Sequence, residues 1–269
     1  SAQRVVMGMS ADTTSNTGAL LRGRRALVVG GGGGLGSAIA RSLAAQGCAV
    51  VVAGRHVGSL AERMPELRAV RLDLQDHASI AAGVDEAADA LGGLDLLVNS
   101  AGSVAGGRFE ETSLEQWHSS INTKLLGTLE VIRAALPHVK ASRGAVLTLT
   151  GLFGKEPSAG QIISGAINAA LANSHKALAA DVARDGVRVL ALCIGGFLTD
   201  RLMQIVSANA RRAGRTVDEQ LLHEETLLPL GRFGTPQELG DIVALLASPQ
   251  CAYLTGAALT IDGGAAHGI

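Results

Sequence analysis

Short, continuously apolar segments alternate along the chain with longer segments in which apolar residues recur every three or four positions. Residues 26–29 and 48–53 are entirely apolar, which is typical of parallel strands that are covered on both faces. The pattern predicts strands over residues 24–29, 48–53, 68–72, 94–99, 144–150, 187–193 and 257–261. It predicts helices over residues 35–46, 57–64, 78–90, 114–136, 161–184, 199–223 and 236–246, with Pro137 expected to end the fourth of them.

This regular alternation predicts an α/β fold built on a single doubly wound parallel sheet with helices on both faces. No internal repeat or linker divides residues 21–269, which we expect to form one domain. Residues 1–20 are expected to be a flexible N-terminal tail, and residues 199–224 a helical lid lined by apolar side chains. Ligands of such sheets bind outside the carboxyl ends of the strands.

Composition and charge narrow the range of functions. The 269 residues are 47% hydrophobic and 17% charged, which allows a large core, and the net charge is −1. This balance lacks the basic surface that binds nucleic acid or an anionic membrane, so neither partner is expected. No apolar segment is long enough to span a bilayer, and we expect a cytoplasmic protein. Cys48, Cys193 and Cys251 fit separate buried thiols in a reducing compartment, and their spacing predicts no metal site.

The first predicted strand runs directly into a glycine-rich turn, residues 30–36, which opens the first predicted helix. Glycine at this junction lets the backbone approach a pyrophosphate, and the helix N-terminus offers free N–H groups and a partial positive charge. Gly30, Gly32, Gly33 and Leu35 are therefore candidate dinucleotide-binding residues. The alternative is a flexible turn, but the position at the strand-to-helix junction favours binding.

The end of the second predicted strand bears on the choice of dinucleotide. Sites that prefer NAD often place an acidic residue here to bind the ribose 2′-hydroxyl, whereas a basic residue accommodates a 2′-phosphate. Ala53 and Gly54 are neutral and Arg55 is cationic, so we expect NADP(H) to be favoured over NAD(H). The alternative is an arginine on an ordinary solvated loop.

Several motifs agree in order and spacing with one family of nucleotide-dependent enzymes. They are the glycine turn at residues 30–36, Asp73-Leu74, Asn99-Ser100-Ala101-Gly102, Asn122, residues 229–238 and residues 261–264. With these motifs the chain resembles the short-chain dehydrogenase/reductase family over residues 23–264. The resemblance implies a Rossmann-type fold, an NAD(P)(H) cofactor, a small-molecule substrate and a homo-oligomer, either a homodimer or a homotetramer. It extends the cofactor-binding candidates to Asp73, Leu74, Asn99, Ala101, Gly102, Gly195 and Thr199.

The positions that would carry catalysis differ from the family pattern. That pattern places a Ser after the fifth strand and a Tyr-x-x-x-Lys pair on the next helix, and these positions fall on Gly151, Ser164 and Asn168. Asn122 matches the helix-borne Asn of the family, so the resemblance makes Asn122, Ser164 and Asn168 the catalytic candidates. The single tyrosine, Tyr253, lies near the C-terminus and is not expected to substitute.

The missing tyrosine matters because a positioned general acid accelerates a reaction by roughly 10²–10⁴-fold. The hydroxyl of Ser164 is too weak an acid without an activating base. The preferred hypothesis is an atypical NADP(H) oxidoreductase that acts on a carbonyl or enoyl group, with a proton from water, Thr150 or the loop that contains Lys155. The alternatives are a catalytically silent subunit that pairs with an active relative, and a redox-neutral cyclase, isomerase or dehydratase.

Aromatic and histidine side chains leave two further questions open. Phe153 and Phe197 either flank the cofactor and substrate or belong to the core. His118, His175 and His223 have no metal-binding spacing and are predicted to be surface or capping residues.

Overall fold

The computed structural model describes residues 19–102 and 104–268. Within them, seven parallel strands form a single sheet in the order β3-β2-β1-β4-β5-β6-β7. The strands are β1 (Arg25–Val29), β2 (Ala49–Gly54), β3 (Arg68–Arg71), β4 (Leu96–Asn99), β5 (Ala145–Gly151), β6 (Arg188–Ile194) and β7 (Ala257–Ile261). The single doubly wound parallel sheet predicted from the sequence is confirmed.

Helices cover both faces of this sheet. In the described residues they are α1 (Gly34–Ala45), α2 (Val57–Arg63), α3 (His77–Leu91), α4 (Leu114–Ser120), α5 (Gly127–Ala141), α6 (Ile162–Val182), α7 (Asp200–Ala213), α8 (Val217–Thr226) and α9 (Pro236–Ala247). Successive strand residues point to opposite faces. Val28 and Leu147 therefore pack with α1 and α9, whereas Leu27 and Val146 pack with α3, α5 and α6.

The strand order reverses beside β1. The chain runs outward from β1 through β2 to β3 and then crosses back to β4 on the other side of β1. The segments that leave β1 and β4 therefore diverge, and such a reversal opens a crevice at the carboxyl edge of the sheet. This topology gathers the glycine turn after β1, Ala101 and Gly102 after β4, and Gly151 at the end of β5.

A smaller apolar cluster lies at the N-terminal part of α6, which begins at the same edge because it follows β5. Ile163, Ile167 and Leu171 of α6 form its buried centre, and Trp117 of α4 packs against them. This cluster attaches the α4–α5 segment to α6 close to the crevice.

Pro137 does not end a helix, contrary to the sequence-based expectation, because α5 continues to Ala141. A proline inside a helix has no N–H to bond the carbonyl four residues earlier, which here belongs to Arg133. Pro137 and Arg133 are both exposed, so water can satisfy that carbonyl. The predicted helix over residues 114–136 is instead interrupted by a π-helical turn, Ile121–Leu126, between α4 and α5.

The predicted helical segment at residues 199–223 consists of two helices. Gly214, which has a left-handed φ of +65°, caps the C-terminus of α7. Thr216 caps the start of α8 by accepting from the Glu219 amide at 3.2 Å. Val206 of α7 is buried, whereas Leu222 of α8 is 65% exposed. The function of this segment as a lid stays a prediction.

Residues 1–18 of the predicted flexible tail lie outside the described residues. The other two residues of the predicted tail, Ala19 and Leu20, pack on the folded domain. The amide of Leu20 donates to Oε1 of Gln46 at 3.1 Å, and the Cβ of Ala19 lies 3.0 Å from the position that a Cβ on Gly47 would take.

Within residues 19–102 and 104–268, no helix is long and apolar enough to cross a bilayer. No group of three or more His, Cys, Asp and Glu side chains in these ranges is placed to hold a metal ion. Cys48 and Cys193 are buried as predicted, and Cys251 is half-buried. Burial raises the pKa of the Cys48 thiol to about 12.

Candidate active site

The glycine turn packs tightly against the segment after β4. Gly30 has a φ of +83°, a left-handed conformation that favours glycine. A Cβ on Gly30 would lie 2.7 Å from the backbone nitrogen of Ala101, and one on Gly36 would overlap the carbonyl oxygen of Gly30. The fold itself therefore requires glycine at positions 30 and 36.

Gly33 is a different case. It is the exposed residue that precedes α1, and a Cβ there would meet nothing closer than the oxygen of Gly30 at 3.5 Å. No side chain of the described residues caps α1, and its first turn carries no acidic residue. The amides of Gly34, Leu35 and Gly36 therefore have no partner within the helix. Open space beside a free helix N-terminus suits a phosphate group, so these residues fit the pyrophosphate of a dinucleotide.

The segment after β6 supplies the next wall of this site. The γ-methyl of Thr199 lies 3.0 Å from the position that a Cβ on Gly34 would take, which brings Thr199 to the start of α1. The Thr199 hydroxyl also caps α7 by accepting from the Leu202 amide at 3.3 Å. Gly195 lies against Asp262, where a Cβ on the glycine would be 2.8 Å from the Cβ of the aspartate. Close packing therefore accounts for glycine at position 195.

The end of β2 and helix α2 border the glycine turn on its other side. Arg55 lies on the exposed loop after β2. Arg63, at the end of α2, donates to the carbonyl of Gly32 at 3.0 Å. Leu60 holds α2 in place, because its side chain lies 3.0 Å from a Cβ position on Gly32 and 3.1 Å from one on Gly54. This arrangement places positive charge where the end of β2 meets the turn.

Asp73 and Leu74 follow β3 but differ in exposure. Asp73 is half-buried, and its Oδ1 accepts from the Gln75 amide at 3.1 Å. The side chain of Leu74 is 7% exposed and belongs to the core. Leu74 therefore offers little surface to a ligand, whereas Asp73 is partly exposed.

Asn99 lies in the interior, where it is 2% exposed. Its Nδ2 donates to Oγ1 of Thr148 at 3.2 Å, and that hydroxyl lies 2.7 Å from Nε2 of His175. Nδ1 of His175 lies 2.7 Å from the carbonyl of Leu171. Because a carbonyl only accepts, Nδ1 carries the proton and Nε2 accepts from Thr148. The side chain of Asn99 thus joins β4 to β5 and α6, and its Oδ1 has no hydrogen-bond partner among the described residues.

His175 is 1% exposed, so the expectation of a surface or capping histidine was wrong. It lies four residues from the buried Leu171, on the face of α6 that is turned inward. Burial lowers the pKa of His175 to about 4, and the nearby charge of Lys124 acts in the same direction. The ring is therefore neutral at physiological pH. His118 and His223 are exposed, as expected.

Gly151, Ser164 and Asn168 lie together and form one hydrogen-bonded set. The amide of Gly151 donates to Oδ1 of Asn168 at 2.8 Å. Nδ2 of Asn168 donates to the carbonyl of Ser164 at 2.8 Å and to its hydroxyl at 3.2 Å. Asn168 is 3% exposed, so its amide is engaged with the protein. A direct contact of the Asn168 amide with a cofactor or substrate would require these bonds to break.

Three other potential proton donors are directed elsewhere. Thr150 is 1% exposed, and its hydroxyl bonds the carbonyl of Leu192 at 3.2 Å. Nζ of Lys155 donates to Oγ1 of Thr260 on β7 at 3.0 Å. Tyr253 is fully exposed just before β7 begins, at the opposite edge of the sheet from the crevice. None of the three faces the glycine turn.

The structure does not bring Asn122 to Ser164 and Asn168. Asn122 is exposed and lines a shallow depression with Gln75 beside the start of α3. The π-helical turn instead directs Lys124 inward, where it is 6% exposed. Sequence reasoning did not single out Lys124.

Phe197 belongs to the core, which is one of the two interpretations that the sequence left open. It is 7% exposed, and its ring carbon Cε1 lies 2.6 Å from the position that a Cβ on Gly234 would take. Phe153 is half-buried, and its carbonyl oxygen lies 3.1 Å from a Cβ position on Gly165 of α6.

Residues 30–266 match the family model described as "Enoyl-(Acyl carrier protein) reductase". The chain belongs to the short-chain dehydrogenase/reductase family. In this family, the 2,5-dichloro-2,5-cyclohexadiene-1,4-diol dehydrogenase LinX of Sphingobium indicum is 34% identical over 263 residues, which cover 93% of this chain and 98% of that protein. The family membership that the motifs indicated is therefore confirmed.

Solved structures of the short-chain dehydrogenase/reductase family agree with this assignment. The actinorhodin polyketide ketoreductase, solved with NADPH, matches with a TM-score of 0.86 and 27% identity over 91% of this chain and 98% of that chain. The L-sorbose reductase of Gluconobacter frateurii, solved with NADPH and L-sorbose, matches with a TM-score of 0.86 and 25% identity over 93% and 99% of the two chains. The relatives of this chain are thus dehydrogenases and reductases.

Proposed function

We propose that the chain is an NADP(H)-binding oxidoreductase with an atypical active site, which acts on a carbonyl or enoyl group of a small molecule. The observation that carries the cofactor assignment is the open space over Gly33 beside the uncapped N-terminus of α1. Arg55, at the end of β2, supports NADP(H) over NAD(H) because a guanidinium suits a 2′-phosphate. The two structural relatives solved with NADPH support the same choice.

The residues of the chain would bind and orient the cofactor at the carboxyl edge of the sheet. The free amides of α1 hold the pyrophosphate, Arg55 holds the 2′-phosphate, and Asp73 borders the adenine. NADPH supplies the hydride when it is bound. The protein must then place the substrate and control its proton.

Ser164 is the residue best placed to orient a substrate oxygen. Its hydroxyl oxygen accepts from Asn168 at 3.2 Å, which leaves its own O–H free to donate. No base activates this hydroxyl, because the asparagine beside it is neutral. We therefore assign Ser164 to substrate orientation and assign the proton to water.

A second candidate function is a catalytically silent subunit that pairs with an active relative. The observation that favours it is the engagement of Asn168 by Gly151 and Ser164, together with the orientation of Thr150 and Lys155 toward other partners. In this case the chain would form a hetero-oligomer, whereas the oxidoreductase would form a homodimer or homotetramer.

Calorimetric titration of the purified chain with NADPH and with NADH tests the proposal, together with its mass in solution. Tighter binding of NADPH, followed by NADPH oxidation with a carbonyl or enoyl compound, is the expected result. Binding without turnover on any such compound, and turnover restored by a partner chain, would favour the silent subunit. Absence of binding by either nucleotide would contradict the oxidoreductase.

A further inference from the structure

Lys124 carries a buried ammonium group whose hydrogen bonds, within the part of the chain that the structure describes, go to carbonyl oxygens and not to a carboxylate. Burial of a charge without a counter-charge is unfavourable. Burial accordingly lowers the pKa of the Lys124 amine to about 8. An apolar residue at this position would avoid that penalty, so the presence of lysine calls for a specific reason.

The two acceptors of Lys124 lie at the carboxyl ends of two neighbouring strands, β4 and β5. Its Nζ donates to the carbonyl of Ala101, just after β4, at 3.0 Å, and to the carbonyl of Leu149, in β5, at 2.9 Å. The ammonium group therefore joins the carboxyl ends of β4 and β5 from the side of the π-helical turn.

The backbone after β4 is shaped to let the lysine pass. Gly102 has a φ of +95°, and a Cβ there would lie 2.7 Å from Cδ of Lys124. A side chain at position 102 would displace the lysine stem. The fit between Gly102 and Lys124 places the ammonium group at Ala101.

Ala101 connects this contact to the glycine turn. A Cβ on Gly30 would lie 2.7 Å from the nitrogen and 2.8 Å from the Cα of Ala101, so the two backbones are in direct contact. Any movement of Ala101 therefore changes the wall against which the turn is packed. A single residue, Ala101, thus contacts both Lys124 and Gly30.

We propose that Lys124 is a positioning residue, which holds the Ala101 carbonyl and thereby keeps the glycine turn in the conformation that binds a nucleotide. The identity of the nucleotide rests on the proposed function. The positioning itself is a property of the free protein and is testable without any nucleotide.

The test compares three variants of the full chain. Lys124→Met keeps the apolar stem and removes the donors, and Lys124→Gln restores neutral donors. Lys140→Met is the matched control, because Lys140 lies on α5 and pairs with Asp185 at the surface at 2.7 Å. We expect Lys124→Met to weaken NADPH binding by at least about tenfold, Lys124→Gln to weaken it less, and Lys140→Met to leave it unchanged.

Amide hydrogen exchange of the nucleotide-free proteins provides the second readout. The amide of Gly30 donates to Ala53 at 2.9 Å, and that of Ser100 donates to Val29 at 2.9 Å. We expect both amides to exchange faster in Lys124→Met, with the strands β6 and β7 unchanged. If the wild type binds no nucleotide, the proposed function fails, and this local increase still supports the positioning role.

Two results would overturn the inference. One is exchange at Gly30 and Ser100 that equals the wild type in Lys124→Met. The other is exchange that increases evenly over all strands, since that pattern is the signature of a structural loss and not of local positioning.

Discussion

The backbone amide of Gly151 donates to the side-chain oxygen of Asn168 at 2.8 Å, across the gap between β5 and α6. Asn168 uses its nitrogen to bond Ser164 one helical turn earlier. The three positions that would carry catalysis in the family pattern are therefore joined by hydrogen bonds, and a change at one of them affects the others.

Gly151→Ala should destabilise the protein by about 1–3 kcal/mol, because its Cβ would lie 2.9 Å from Nδ2 of Asn168. The cost should be smaller in an Asn168→Ala background, since the obstructing amide is gone. Urea unfolding of the four proteins in this cycle measures the coupling. Gly58→Ala is the control, because Gly58 is helical and has nothing within 4 Å of a Cβ; equal costs in both backgrounds would contradict the prediction.

Gly33→Ala and Gly36→Ala should separate the needs of the fold from those of the ligand. The Cβ of Gly36→Ala would overlap the carbonyl of Gly30, so this variant should lose stability severely. The free energy of unfolding of Gly33→Ala should stay within about 0.5 kcal/mol of the wild-type value, because the new Cβ meets nothing within 3.4 Å. Its NADPH affinity should nevertheless fall by at least about tenfold, since the methyl group fills the space of the pyrophosphate. Thermal unfolding and calorimetric titration measure the two effects, and unchanged affinity in Gly33→Ala would place the ligand elsewhere.

Arg55→Gln should raise the dissociation constant for NADPH by about 10–100-fold, the range of a charge-assisted hydrogen bond. The dissociation constant for NADH should change little, because that nucleotide has no 2′-phosphate. Arg184→Gln is the control: it makes the same charge change at an exposed position just before β6, at the opposite edge of the sheet. Equal weakening of both nucleotides by Arg55→Gln would refute a 2′-phosphate contact.

The buried His175 should make the protein less stable in mild acid. Its pKa is about 4 in the folded protein against an ordinary value of 6.5, so the unfolded chain binds the extra proton between these values. The free energy of unfolding should fall by up to roughly 3 kcal/mol as the pH decreases through this window. Urea unfolding at neutral pH and near pH 4 measures the change, which should be smaller in His175→Gln and unaltered in His223→Gln, since His223 is exposed. A pH dependence that is the same in His175→Gln would show that another group is responsible.

The sheet and the glycine turn were predictable because both leave strong local signals. Continuously apolar segments such as residues 49–53 indicate strands that are covered on both faces. A glycine run between a strand and a helix is typical of a turn that binds a pyrophosphate. The prediction that a helix ends at Pro137 was wrong. The low helix propensity of proline does not reveal that Arg133 and Pro137 face solvent in the fold. Solvent access at these two positions lets water bond the carbonyl that Pro137 leaves free.

The interior polar residues could not be predicted from local pattern alone. Lys124 lies three or four residues from the buried Ser120 and Gly127, and the buried Val131 follows at the same spacing. This helical periodicity was the sequence signal that could have indicated a buried lysine. A single π-helical turn decides whether Lys124 or Asn122 points inward, and the sequence carries no clear mark of such a turn. His175 was missed for a related reason, since it lies on α6 and its partner Thr148 is supplied by strand β5.

The chain has one tryptophan and one tyrosine, and the fold places them at different ends of the molecule. Trp117 packs on the apolar cluster of α6 beside the crevice, whereas Tyr253 is fully exposed beyond the opposite edge of the sheet. Fluorescence emission from the indole should therefore report ligand binding and the packing of the α4–α5 segment, because a bound nicotinamide would quench it. The phenol should respond only to solvent. The two side chains would then serve as an optical probe of the proposed site and as an internal reference.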